Sequence, residues 1–200
     1  MVMIRHERAG DVAAREALLD AAFGLARFEK AAERLREDRL PADGLSFVAS
    51  ERGRPVGTVR LWNVTAGPER PALLLGPLAV AAACRNRGIG AALMRRALRE
   101  ARRLGHRAVL LVGDAPYYAR FGFSAAKTGQ LWLPGPFEPP RLLGLELAAG
   151  ALEGARGSIG ATGAQRAEAG SEPARRGPPR RARAAARGLI PISPGRPEEE

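Results

Sequence analysis

Cysteine is almost absent from this chain. Cys84 is the only one, so no intramolecular disulfide can form. Histidine is nearly as scarce: His6 and His106 lie far apart, and with one cysteine they make no spacing that suits a tetrahedral zinc site, so no metal is expected. Lysine is limited to Lys30 and Lys127, which excludes the P-loop pattern with its lysine directly after a glycine. No run approaches the roughly 18 apolar residues of a membrane span. The opening Met1-Val-Met-Ile-Arg5-His6-Glu7 also lacks the apolar stretch of a signal peptide. A cytoplasmic protein with no membrane partner is the expectation.

What is abundant is arginine. The formal net charge is +11, a field that favours anionic ligands and non-specific contact with nucleic acid. Residues 1–149 alone carry 23 basic and 15 acidic groups, a net charge of +8. No zinc finger, basic zipper or RNA-stacking motif turns that charge into a nucleic-acid reader.

Composition divides the chain at about residue 150. Residues 1–149 read as one α/β domain. Residues 150–200, rich in Gly, Ala, Arg, Ser and Pro and without aromatics, read as a disordered tail. Within that tail Arg175, Arg176, Arg180, Arg181, Arg183 and Arg187 form a cationic block, a candidate for attachment to nucleic acid or an acidic partner. Within the domain, apolar patterning predicts a strand over Val2–Arg8 and a helix from Asp11 to Phe23. A second helix is predicted over Phe28–Arg39, and a hairpin from Leu45–Glu51 and Pro55–Trp62. Strands are further expected over Ala72–Val80, Arg107–Val112, Phe123–Thr128 and Arg141–Leu147, with a short helix over Tyr117–Phe121. A strand, helix and strand around Gly88 predict a parallel βαβ unit.

The most informative stretch is Leu78-Ala79-Val80 followed by Arg85-Asn86-Arg87-Gly88-Ile89-Gly90. Here an apolar strand leads through a basic, glycine-bearing turn into a helix. Glycine lets the backbone pass close to a ligand, and the helix start offers unpaired N–H groups to an anion such as a pyrophosphate. On that helix Ile89, Leu93, Ala97, Ala101 and Leu104 share one side, with Met94 and Leu98 beside them, while Arg95, Arg96, Arg99, Arg102 and Arg103 take the other. A dinucleotide fingerprint fits poorly, because Leu93 stands where it needs a small residue.

Arg85-Asn-Arg-Gly88-Ile-Gly90 resembles the acyl-CoA signature of the GCN5-related N-acetyltransferases, Gln/Arg-x-x-Gly-x-Gly/Ala. A second mark of that family follows in order: Val109-Leu-Leu-Val112, then Gly113-Asp-Ala-Pro-Tyr117-Tyr118-Ala-Arg-Phe-Gly122-Phe123. The resemblance covers about residues 1–149 and is closest to the branch of predicted bacterial N-acetyltransferases. It implies a mixed, mostly antiparallel central sheet with a parallel βαβ acyl-CoA unit flanked by helices. It also implies acetyl-CoA as co-substrate and direct transfer of the acyl group to a primary amine in a ternary complex. The mid-strand Gly76-Pro77 suits a bulge that splays the central strand, leaving main-chain N–H groups near Leu78–Val80 for the thioester oxygen. Spacing to Gly122-Phe123 selects Tyr118 as the family's proton-donating tyrosine, with Tyr117 in reserve.

The base is not singled out. Leu73–Val80 holds no acid, and Glu51, Asp114 and His106 are the remaining candidates of suitable chemistry. Cys84 beside the turn has no patterned partner for a nucleophilic role. Two rival readings stay open at this point: a non-catalytic acyl-CoA-binding regulatory module, and a nucleic-acid-associated protein acting through its tail. The acceptor, acyl-chain preference and oligomeric state carry no signal.

Overall fold

The computed structural model describes residues 1–166. In chain order its elements are β1 (Val2–His6), α1 (Val12–Phe23), β2 (Ser46–Glu51), β3 (Arg54–Thr65), β4 (Pro71–Val80) and α2 (Ile89–Arg103). There follow β5 (Ala108–Val112), α3 (Ala115–Ala119), β6 (Leu131–Trp132), β7 (Leu142–Glu146), β8 (Gly157–Ser158) and β9 (Gly160–Ala161). The main sheet runs β1-β2-β3-β4-β5-β7, with β9 added beside the end of β3. Every neighbouring pair in it is antiparallel except β4 and β5, which α2 joins as the expected parallel unit. The mixed, mostly antiparallel sheet is therefore present. The tight β2–β3 turn is made by Arg52 and Gly53 at φ 50° and 78°, two left-handed residues in the manner of hairpin turns.

Side chains alternate across the sheet and build two cores. On one face Phe47, Val59, Leu61, Leu73 and Leu111 pack against Ile89, Leu93, Met94, Ala97 and Ala101 of α2, so the apolar stripe lies where its spacing places it. Leu104 is left mostly outside, at 41% exposure. On the other face Trp62, Val64, Leu74 and Leu110 pack under Ala31, Leu35, Leu131 and Leu133. Here Glu7 accepts from Arg15 of α1 and from Arg60 of β3. Glu16 and Asp20 in turn hold Arg27, at 2.5 and 3.0 Å. This chain of ion pairs ties the segment after α1 to the sheet.

Four expectations need correction. The segment 28–39 is not a helix: a 3-10 turn spans Leu25–Glu29, and turns follow. Arg36 N donates to Glu33 O at 2.7 Å, and the Ala32 carbonyl that a helix would offer that N–H takes Arg36 Nε instead, at 3.1 Å. Phe123–Thr128 is not a strand. Only Ser124 bridges to Gly144, and Ser124 Oγ accepts from Ala126 N at 3.1 Å, turning the chain into a 3-10 helix. Asp11 stands at the start of α1 without capping it, because its carboxylate accepts from Arg8 N and pairs with Arg5. Finally, the domain does not stop at residue 149. Leu152, Ala155 and Ile159 are buried in the second core, β8 pairs with β6 and β9 with β3, so the folded unit runs to Arg166. The arginine block Arg175–Arg187 lies outside the described residues.

Candidate active site

The site begins at a defect in β4. Val59 faces Leu78 and Leu61 faces Leu75, so Gly76 and Pro77 together oppose Arg60 alone, the two-against-one count of a β-bulge. Gly76 adopts φ 130°, a backbone setting that favours glycine. The indole Nε1 of Trp62 donates to the Gly76 carbonyl at 2.6 Å and pins the bulge from β3. Beyond it β4 leaves β5: the two strands pair only at Leu73–Val109 and Leu74–Leu110. A gap opens between Leu75–Val80 and the end of β5.

Which N–H groups face that gap follows from the alternation of a strand. Ala81 N donates to Val56 O on β3 at 2.9 Å, so the main-chain groups of Ala79 also point to β3. Those of Leu78 and Val80 point into the gap. Of the three expected residues, Leu78 and Val80 can offer an N–H and Ala79 supplies buried packing.

At the far end of the gap lies the turn that was expected to cradle an anion. Arg85, Asn86, Arg87 and Gly88 are exposed, whereas the Ile89 side chain is in the core, leaving its backbone at the turn. Asn86 and Gly88 take φ 61° and 76°. Gly88 is the N-cap of α2 with no side-chain cap and with open space where a Cβ would sit. The first N–H groups of α2 are therefore free to meet an anion. Arg87 is not free. Its guanidinium pairs with Glu51 at 2.6 and 3.0 Å and reaches Cys84 Sγ at 3.5 Å. Arg85 makes no ion pair among the described residues.

At the near end an open cleft of about 510 Å³ lies beside the bulge, lined by Gly76–Leu78, Val112–Asp114 and both tyrosines. The Tyr118 ring lies directly against Gly113, where a Cβ would come within 2.8 Å of Cδ2 and closer still to Cε2. Burial, helped by Tyr117 and Asp114, pushes the Tyr118 phenol up to about 12. Tyr117 turns toward the cradle instead, its hydroxyl 3.3 Å from where Gly90 would carry a Cβ. Asp114 accepts from Tyr117 N at 3.3 Å and caps α3, a structural task.

The other expected base candidates are elsewhere. Glu51 sits at the cradle turn, where its hydrogen bond with Arg87 holds it below the usual carboxylate range. His106 precedes β5, six residues and about 20 Å of strand from Val112. The carboxylates that do line the cleft are Glu33 and Glu138, together with Asp114. Glu33 pairs with Arg36 at 3.0 Å and Glu138 with Arg141 at 3.4 Å. Neither acid was legible beforehand, since both sit in irregular segments with no motif. Among the described residues no cluster of three or more His, Cys, Asp or Glu is arranged to hold a metal ion. No helix among them is long and apolar enough to cross a membrane.

Comparison with known proteins places this architecture. The model of the acetyltransferase (GNAT) family matches residues 13–123, more than half of the chain. The chain belongs to that family. It is 30% identical over 159 residues to the uncharacterized N-acetyltransferase YhbS of Escherichia coli, covering 79% of this chain and 95% of YhbS. It is 31% identical over 122 residues to the uncharacterized N-acetyltransferase YjhQ of Escherichia coli, covering 60% of this chain and 67% of YjhQ. The crystal structure of Escherichia coli YhbS in complex with CoA superposes with a TM-score of 0.68, over 80% of this chain and 89% of that one. A Brucella melitensis GNAT acetyltransferase in complex with acetyl-CoA, 31% identical, superposes with a TM-score of 0.54 over 72% and 96% of the two chains.

Proposed function

We propose that this protein transfers an acetyl group from acetyl-CoA directly to a primary amine, with both substrates bound at once. The observation that carries the reading is the splayed β4–β5 gap, which joins a helix N-terminus at one end to a tyrosine-lined cleft at the other. Support comes from the two similar structures solved with CoA and acetyl-CoA. The cytoplasmic setting expected from the sequence belongs to the same proposal.

In this reading the free N–H groups at Gly88–Gly90 hold the pyrophosphate, with Arg85 and Asn86 beside it, and Arg87 exchanges Glu51 for a phosphate oxygen. The pantetheine arm runs along the unpaired edge of β4. The N–H of Leu78, with Val80 behind it, meets the thioester oxygen as negative charge grows there. Attack by the neutral amine on the thioester carbon forms the amide and expels the CoA thiolate, while the amine gives up a proton. Tyr118 serves the sulfur. A phenol at about 12 facing a thiol with a reference value near 8.5 makes full proton transfer uphill by roughly 5 kcal/mol. Its contribution is therefore a hydrogen bond that strengthens as the thiolate forms, and the proton comes finally from the amine. Glu33 and Glu138 draw a cationic amine into the cleft, where it loses its proton to water. No described carboxylate is buried and unpaired there to act as a strong base.

The reading is tested by incubating the protein with isotopically labelled acetyl-CoA and a panel of amines. A labelled amide of one acetyl mass is expected. Tight CoA binding without any labelled product would leave a binding module and overturn the reading.

A further inference from the structure

Arg36 is an unusual residue to find in the wall of this cleft. Its side chain is only 9% exposed, so little water reaches the guanidinium and it gains from any further acceptor. Yet its partners are few. Nε donates to Ala32 O at 3.1 Å, Nη2 lies 3.0 Å from a Glu33 oxygen, and Nη1 donates no hydrogen bond among the described residues. That free nitrogen is aimed at the bulge: a Cβ on Gly76 would lie 4.0 Å from it. Burial also lowers the affinity of this guanidinium for its proton, so it gains from an arriving anion.

The surrounding charge agrees. Lys30 lines the same cleft and makes no ion pair among the described residues, its ammonium lying 5.1 Å from the Phe23 ring. Arg27 is taken up by Glu16 and Asp20. Of the other cations lining the cleft, Arg141 is held by Glu138 at 3.4 Å, Lys30 is in no ion pair among the described residues, and Arg36 is held by Glu33 through Nη2, which leaves its Nη1 without a partner.

We infer that the acceptor carries a carboxylate next to its amine, as an α-amino acid does, and that Arg36 Nη1 binds that carboxylate beside the bulge. The inference rests on the acetyl-transfer reading, which puts the thioester against Gly76–Leu78. Arg36 reaches the same bulge, so the anion and the attacking nitrogen can be separated by only a few ångströms. An α-amino carboxylate meets that limit. A protein lysine, whose ε-amine is remote from any carboxylate of its own, does not. Arg36 is a specificity determinant here and touches the acceptor, not the leaving sulfur.

The test measures kcat and KM for three matched sets of acceptors: free α-amino acids, their carboxamides, and simple amines lacking the carboxyl carbon. A charge-assisted hydrogen bond of ordinary strength gives the free acid an advantage of about ten- to a hundredfold in kcat/KM, carried mainly by KM. Arg36→Met should bring the acid-to-amide ratio close to one, and Arg36→Lys should keep part of it. If Arg36→Met does not fold, Arg36→Lys decides: a ratio reduced from that of the wild type supports the inference, and an unchanged ratio overturns it. Amides or simple amines used as well as free acids by the wild type would overturn the inference and leave acetyl transfer standing, as would a ratio unchanged by Arg36→Met. Absence of labelled product with all three sets would overturn the acetyl-transfer reading, and this inference with it.

Discussion

The ring of Tyr118 occupies the space that a side chain on Gly113 would need, so the residue directly after β5 fixes the position of the phenol beside the cleft. Gly113 has no Cβ, and any other residue there must push the ring away. Gly113→Ala is therefore expected to lower kcat about tenfold or more while CoA affinity changes little. Tyr118→Phe should show a comparable loss, about ten- to a hundredfold, because one hydrogen bond to a forming anion is removed. Steady-state kinetics with calorimetry of CoA binding checks both. A loss in Tyr117→Phe but not in Tyr118→Phe would transfer the role to the neighbour.

At the other end of the gap, Gly88→Glu places an anion at the uncapped start of α2, where there is room for a side chain. CoA affinity should fall by at least an order of magnitude in a protein that still unfolds cooperatively. Unchanged affinity by calorimetry would remove the phosphate from this turn.

Cutting the chain after Ala149 removes Leu152, Ala155 and Ile159 from the second core and deletes β8 and β9. Burial of the two large side chains alone is worth roughly 3–6 kcal/mol, a large part of a small domain's stability. The shortened protein is expected to lose cooperative thermal unfolding or to melt well below the full chain. Retention of the full melting temperature would restore the earlier boundary.

That boundary shows where sequence patterning fails. The cradle, the α2 stripe and the Gly76-Pro77 defect were legible because each is local: a turn and helix start, a helical period, a strand interrupted by two residues that disfavour it. Strands of two residues such as Gly157–Ser158 and Gly160–Ala161 have no period to detect. The segment 28–39 does have one, since Ala31 and Leu35 are four apart and both buried, yet the same spacing anchors a succession of turns. Because Glu33 and Arg36 ride on that segment, the charged wall of the cleft was invisible in the sequence, while the glycine turn and helix start at Gly88 were plain.

The Tyr118 phenol, held up to about 12 by burial, stays protonated across the working range. The amine must shed its proton to react. kcat/KM is therefore expected to rise tenfold per pH unit up to the amine's own pKa, and then to stay level to about pH 10. A fall between pH 8 and 10 in a protein that remains folded would mean that a group with a lower pKa, not Tyr118, gives the hydrogen bond to the sulfur.

In the proposed reaction the acetyl group passes straight from sulfur to nitrogen within the Tyr118 cleft. Rapid mixing of the protein with acetyl-CoA, with and without an α-amino acid, followed by quantification of free thiol in the first turnover, tests it most directly. Thiol should appear only when the amine is present, one per amide formed, with no acetyl group left on the protein. A burst of thiol without amine, matched by one acetyl group on the protein, would contradict direct transfer.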